Sequence, residues 1–235
     1  MVTKNDIIKI KILDIANEVN FAFITSYKKS NKENTANTWQ PKRSPFKKFT
    51  DLFPGDLAKN IVRFLLEQKN LIIQDYDKIR TDNFRFNDKF DLKFNNKEIE
   101  VKSSIEKYSN DIQNLIVNRR YIVYPNRNIS DLIFQVFYIF ENQNGKEFFN
   151  DMEQLDEKSF ISKYSLSSKK VFVQKFVEFS PCAYVMGFIT KSMALQKKND
   201  VFVYSNDSIK EDNNRSYIDF FINEGLSFSV IKEYL

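Results

Sequence analysis

Two alternating segments, Phe90-Asp91-Leu92-Lys93-Phe94 and Lys97-Glu98-Ile99-Glu100-Val101-Lys102, flank Asn95-Asn96 and restrict the fold of this chain more than any other stretch. Alternation over five or six residues reads as strand, and two turn-formers between such strands read as a tight hairpin. Asn tolerates the positive φ that the central turn positions require. The simplest register pairs Phe94 with Lys97, Lys93 with Glu98, Leu92 with Ile99 and Asp91 with Glu100. Because side chains alternate along a strand, Glu100 and Lys102 share one face, while Phe90, Leu92, Ile99 and Val101 point to the other face and into a core.

That register sets Asp91 against Glu100. Directly opposed like charges destabilise a hairpin, so a compensating cation is expected. Mg²⁺ suits the site, since it takes a few carboxylates and keeps waters and substrate phosphate oxygens as its other ligands. Lys102 beside it is placed to hold or deprotonate a water. An aspartate followed by Glu-x-Lys is thus a minimal set for metal-assisted phosphodiester hydrolysis.

Asp91 with Glu100-Val101-Lys102 resembles the signature of the PD-(D/E)XK nuclease superfamily, which includes many type II restriction endonucleases. Phe90 stands where that signature often has proline. The resemblance implies an α/β fold with a restriction-endonuclease-like core, a central mixed β-sheet flanked by α-helices. It implies a sequence-specific double-stranded DNA endonuclease that uses Mg²⁺, with Mn²⁺ as a substitute, and leaves a 5′-phosphate. Asp91, Glu100 and the carbonyl of Val101 would bind the metal and Lys102 would serve the water. Members commonly bring an acidic residue from an upstream helix, for which Glu67 is the candidate. Expected partners are double-stranded DNA, a second copy of the chain and a cognate DNA methyltransferase. A junction- or repair-type nuclease, or a noncatalytic DNA-binding protein, would share much of this pattern.

Composition removes competing chemistries. The chain has 235 residues and no histidine, which excludes histidine-dependent nucleases, Ser-His-Asp and Cys-His hydrolases and histidine-ligated metal sites. Its single cysteine, Cys182, leaves no intramolecular disulfide. Four scattered glycines form neither a dinucleotide fingerprint nor a phosphate loop. Lys4, Asp6, Lys9 and Lys11 interrupt the apolar residues of the N-terminus and nowhere do eighteen apolar residues run together, so neither a secretory leader nor a membrane span is expected and a cytoplasmic location is.

The net charge of +5 is unevenly placed: between Tyr27 and Phe49 seven lysines and arginines stand against Glu33 alone. Trp39, Gln40, Lys42, Arg43, Lys47 and Lys48 lie there among prolines, a mixture in which cations meet phosphates and rings and amides meet bases. Ser103, Ser104, Asn118, Arg119 and Arg120 are further candidates for DNA contact. Gln135, an amide within the apolar run Leu132–Phe140, needs buried partners, which an ordinary internal hydrogen bond or else the metal shell or a phosphate would supply.

One domain spans residues 1–235, with an N-terminal helix and basic loop within 1–50 and C-terminal decorations over 200–235. The apolar density of residues 5–27 predicts one long helix. A second helix runs to about Gln68 from a cap at Asp51 or Asp56, with Leu57, Ile61, Phe64, Leu65 and Leu66 inward and Asn60, Arg63 and Glu67 outward. Leu71–Tyr76 is expected as a strand, Ser103 and Ser104 as the cap of a helix over about 106–118, and Tyr121–Tyr124 and Asp131–Phe140 as strands. Val171–Phe179 and Ala183–Ile189 read as strands too, with Thr190 capping a helix. The alternating tail suggests edge strands, a packing element or a dimer contact.

Overall fold

The Asn95-Asn96 turn closes the hairpin, with only the first of its two central residues at positive φ. Asn95 takes a φ of 51°, and β3 (Leu92–Phe94) pairs with β4 (Lys97–Ile105) in the register Leu92 with Ile99, Lys93 with Glu98 and Phe94 with Lys97. The computed structural model describes residues 1–31, 45–84, 88–106, 111–124, 128–140, 147–148, 166–179, 181–197, 202–204 and 215–235.

The hairpin belongs to a mixed sheet of six strands. Beyond it lie β1 (Ile8–Lys11), β2 (Gln74–Asp75), β6 (Leu132–Ile139) and β7 (Cys182–Thr190), in the order β1-β7-β6-β4-β3-β2. β4 and β6 run parallel, with Glu100 beside Ile133 and Lys102 beside Gln135; the other pairs are antiparallel. Parallel neighbours need a crossover, and the chain between them carries α4 (Ile112–Asn118) and β5 (Arg120–Val123). β5 leaves the main sheet and pairs with β9 (Arg215–Phe221), which pairs in turn with β8 (Phe202–Tyr204).

Strand alternation assigns the two faces to two cores. One face presents Leu92, Ile99, Val101, Leu132, Phe134, Val136 and Tyr138 to α1 (Ala16–Ser30), α2 (Pro45–Gln68) and α5 (Leu166–Glu178). There Phe49 and Phe53 of α2 meet Phe172 of α5 edge-on, both at 5.8 Å between ring centroids, an arrangement that suits the ring quadrupoles. The Tyr138 hydroxyl donates to the Pro54 carbonyl at 2.8 Å. The other face carries Ile133, Phe137, Tyr184 and Met186 under Leu115, Ile116, Tyr121, Val123, Ile218 and Phe220. Every residue of β6 is buried, as a strand covered on both sides should be.

Gly187 of β7 has a φ of +89°. Opposite it the β6–β7 register shifts between Phe134 and Val136, so two residues of β7 face Gln135 where one would in a regular ladder. A Cβ on Gly187 would lie 2.2 Å from the Leu226 carbonyl oxygen, whose own bond is to the Phe188 amide at 3.0 Å. Glycine is therefore required where the C-terminal segment docks on the bulge.

Several expectations are corrected. Residues 5–27 are not one helix: Ile8-Lys9-Ile10-Lys11 alternates and pairs with β7, and the helix begins at Ala16. α2 begins at Pro45, a residue suited to the first helical turn. Its Asn60 and Arg63 are buried rather than outward. β4 runs on to Ile105, so Ser103 and Ser104 are strand residues, and Asp111 caps α4 by accepting from the Gln113 amide at 2.9 Å. The stretch expected as a strand over Val171–Phe179 is helical as far as Glu178, with Phe172 and Phe176 one turn apart on its buried side. The stretch expected as a strand over Leu71–Tyr76 pairs only at Gln74 and Asp75. The chain end forms short helical turns, including α7 (Ile231–Tyr234). Thr190 caps α6 (Lys191–Gln196) as expected, accepting from the Met193 amide at 3.2 Å.

Candidate active site

Alternation along β4 places Glu100 and Lys102 on the face opposite to Ile99 and Val101, and the side chains pair, Lys102 Nζ lying 2.7 Å from Glu100 Oε1. The ladder stops at Leu92, so Asp91 is not the flat cross-strand partner of Glu100. Its backbone carbonyl accepts from the Tyr76 amide at 3.3 Å, and its Oδ2 accepts from the Val101 amide at 2.8 Å. The carboxylate thus turns onto the β4 backbone between Glu100 and Lys102. All three side chains line one cleft of about 190 Å³.

Burial pushes the Asp91 carboxyl up to about 6, with Glu100 adding to the rise, against the pull of the Val101 amide and of Lys59 and Lys29. Its surroundings leave the negative charge undercompensated. Asp91, Glu100 and the Val101 carbonyl are hard oxygen donors of the type Mg²⁺ uses. Among the described residues no group of three or more acidic side chains gathers as a metal site, so such an ion would rely on water and substrate oxygens for its remaining ligands.

The cleft contains residues that the sequence reading did not single out: Asp88, Lys89, Tyr124, Asn128 and Ser130. Lys102 Nζ stands 5.7 Å from the Tyr124 ring centroid, within cation–π range. Tyr124 follows β5 and the others lie in connecting segments, so no strand or helix period marks them. Gln135 is 4 % exposed and lies beside Lys102 in the parallel register, where its Nε2 donates to the Val136 carbonyl at 3.3 Å.

Glu67 is held elsewhere, its carboxylate 3.1 Å from Arg63 at the end of α2. Trp39, Gln40, Lys42 and Arg43 lie outside the described residues. Lys47 is exposed in the first turn of α2, 3.2 Å from Asp51, with Lys48 half-buried beside it. Ser104 shares the face of Lys102, whereas Ser103 points to the opposite side. Asn118, Arg119 and Arg120 line a second cleft of about 450 Å³ together with Ser104 and Glu106. Both arginines there carry carboxylate partners, Arg119 with Glu106 at 2.5 Å and Arg120 with Asp219.

Behind the cleft lies a feature that the sequence reading missed, a cluster of buried charges between α1, α2 and the segment that leads to Asp91. Lys29 contacts Asp56, Asp77 and Asp88, Lys59 contacts Asp75 and Asp77, and Arg63 reaches Glu18 at 2.7 Å. The signal for it was a polar stripe at helical spacing, Ser26, Lys29 and Ser30 on α1 against Asp56, Lys59, Asn60 and Arg63 on α2.

No family model, curated protein or solved structure matches this chain. No helix among the described residues is long and apolar enough to cross a membrane.

Proposed function

We propose that the protein is a divalent-metal-dependent endodeoxyribonuclease of the restriction-endonuclease type. The observation that carries this reading is the convergence of Asp91, Glu100 and Lys102 on one cleft, with Asp91 held by the amide of the residue between the other two. The mixed sheet, in which a hairpin pairs through β4 with a parallel strand, supports a restriction-endonuclease-like core.

Asp91 and Glu100, with the Val101 carbonyl, would hold Mg²⁺ or Mn²⁺. When bound, the ion supplies Lewis-acid stabilisation of charge developing on the scissile phosphate. The Val101 amide orients the Asp91 carboxylate. Lys102, kept near by Glu100 and by the Tyr124 ring, donates to and orients the attacking water; as the water oxygen bonds to phosphorus the P–O3′ bond breaks, the water's proton passes to solvent and the departing 3′ oxygen takes a proton from solvent. Lys89, Asn128 and Ser130 offer donors on the cleft wall for the phosphate oxygens next to the cut. The product carries a 5′-phosphate.

The test is incubation with plasmid and phage DNA in Mg²⁺ or EDTA, beside Lys102→Ala, read on a gel. Discrete metal-dependent fragments lost in the variant support site-specific cleavage. A metal-dependent smear lost in the variant, or preference for branched substrates, moves the reading to a nonspecific or structure-guided nuclease. Intact DNA with Mg²⁺ and with Mn²⁺ overturns it.

A further inference from the structure

Lys29, near the end of α1, is 6 % exposed. Its Nζ lies 2.8 Å from Asp56 Oδ1, 2.8 Å from Asp77 Oδ2 and 2.8 Å from Asp88 Oδ2. An ammonium has three N–H donors, and here each finds a carboxylate from a different part of the chain: α2, α3 (Tyr76–Ile79) and the approach to β3. Burial alone would lower the pKa of Lys29, but the three aspartates hold it well above the usual value, so it stays a cation.

Two further cations tie the same segment. Lys59 lies 3.0 Å from Asp75 and also contacts Asp77. Arg80 reaches Asp77 at 3.2 Å, Asp82 at 2.7 Å and also Asp88. Asp88 stands three residues before Asp91 and lines the same cleft. Desolvation offsets much of the Coulomb gain in a buried ion cluster, which makes such a cluster a weak source of stability. What three directed bonds from one nitrogen do supply is a fixed location.

We propose that Lys29 is a positioning residue for the candidate metal site: by holding Asp88 against α1 and α2, it sets where Asp91 stands relative to Glu100. This inference rests on the reading of Asp91 and Glu100 as a metal-binding pair.

The test compares wild type with Lys29→Met and with Asp88→Asn. Asp88→Asn removes the charge that ties the approach segment to both Lys29 and Arg80 and leaves Lys29 its two other aspartates, whereas Lys29→Met leaves the Arg80 pair in place. Phe176→Leu, a core change in α5, serves as a control for lost stability. Mn²⁺ affinity is read by electron paramagnetic resonance, and kcat and KM by plasmid cleavage over a Mg²⁺ series, with folding checked by circular dichroism. Lys29→Met and Asp88→Asn lower Mn²⁺ affinity or kcat by about 10- to 100-fold, the range for groups that orient metal ligands, while KM for DNA stays within about twofold. Phe176→Leu lowers Tm and leaves both readouts unchanged. A folded Asp88→Asn protein with wild-type kcat and Mn²⁺ affinity overturns the proposal. If wild type binds Mn²⁺ but cuts no DNA, the nuclease reading fails alone and Mn²⁺ affinity still decides the role of Lys29. If wild type does neither, both fail.

Discussion

Asp91→Asn removes a charge that the fold holds at a cost, so the variant should be more stable than wild type in the absence of metal. The wild-type carboxyl is pushed from its ordinary 3.8 to about 6, chiefly by burial. At about 1.36 kcal/mol per pKa unit, that displacement sets an upper bound of about 3 kcal/mol on the cost of ionising Asp91 in the folded chain. The side chain is only partly buried, and solvent screening reduces the figure to about 1–2 kcal/mol. Asn can still accept from the Val101 amide through its carbonyl oxygen, more weakly than a carboxylate does. A net gain of about 1 kcal/mol remains, or a Tm rise of about 2–4 °C for a chain of this length. Because the folded state binds this proton more tightly than the unfolded chain, wild-type stability falls as pH rises from about 4 to about 6, and the advantage of the variant opens over that window. Thermal melts in EDTA at about pH 8 and about pH 4.5 check it, with a clearly larger difference expected at the higher pH. Saturating Mg²⁺ should reverse the order by stabilising wild type alone. A lower Tm for the variant at the higher pH without metal, or an equal gain at both pH values, would refute the reasoning.

Lys102→Ala should abolish metal-dependent cleavage on the plasmid gel, yet change stability in urea melts by no more than about 1 kcal/mol, since the pair it breaks is partly solvated. Gly187→Ala forces a Cβ onto the Leu226 carbonyl and a side chain into positive φ, and should cost about 2 kcal/mol or more by chemical denaturation. Phe172→Ala, emptying the contact between α2 and α5, should cost about 3–5 kcal/mol in the same measurement without altering the metal dependence of cleavage.

The hairpin was legible because two constraints coincided there: a period of two on both sides and a turn dipeptide that accepts positive φ. The N-terminus misled because Ile8 and Ile10 of β1 run directly into the apolar residues of α1, so density masked a change of period. α5 misled in the opposite sense, since its valines and phenylalanines favour strand while the spacing of Phe172 and Phe176 favours helix. Glu100 and Lys102 could be placed on one face from alternation alone, whereas Asp91 joins them through its bond from the Val101 amide and not through the expected cross-strand pair. Tyr124, Asn128 and Ser130 could not be placed, because their approach depends on β5 leaving the main sheet to pair with β9, a contact between distant parts of the chain. The Lys29 cluster was hidden by a general expectation that charged residues on a helix face water, which Lys59 and Arg63 violate together with their partners.

The pairing of β5 with β9 sets an order on how the cleft comes into being. Arg120 and Val123 find their ladder partners at Phe221 and Ile218, about a hundred residues later in the chain. The wall that carries Tyr124 therefore has no strand to rest on until synthesis has nearly reached the end of the described sequence. Without that pairing, Asp91, Glu100 and Lys102 would face an open surface on the Tyr124 side. On the nuclease reading, a chain cut short before β9 would keep the three polar groups and lose the support of the wall that sets Tyr124 beside Lys102.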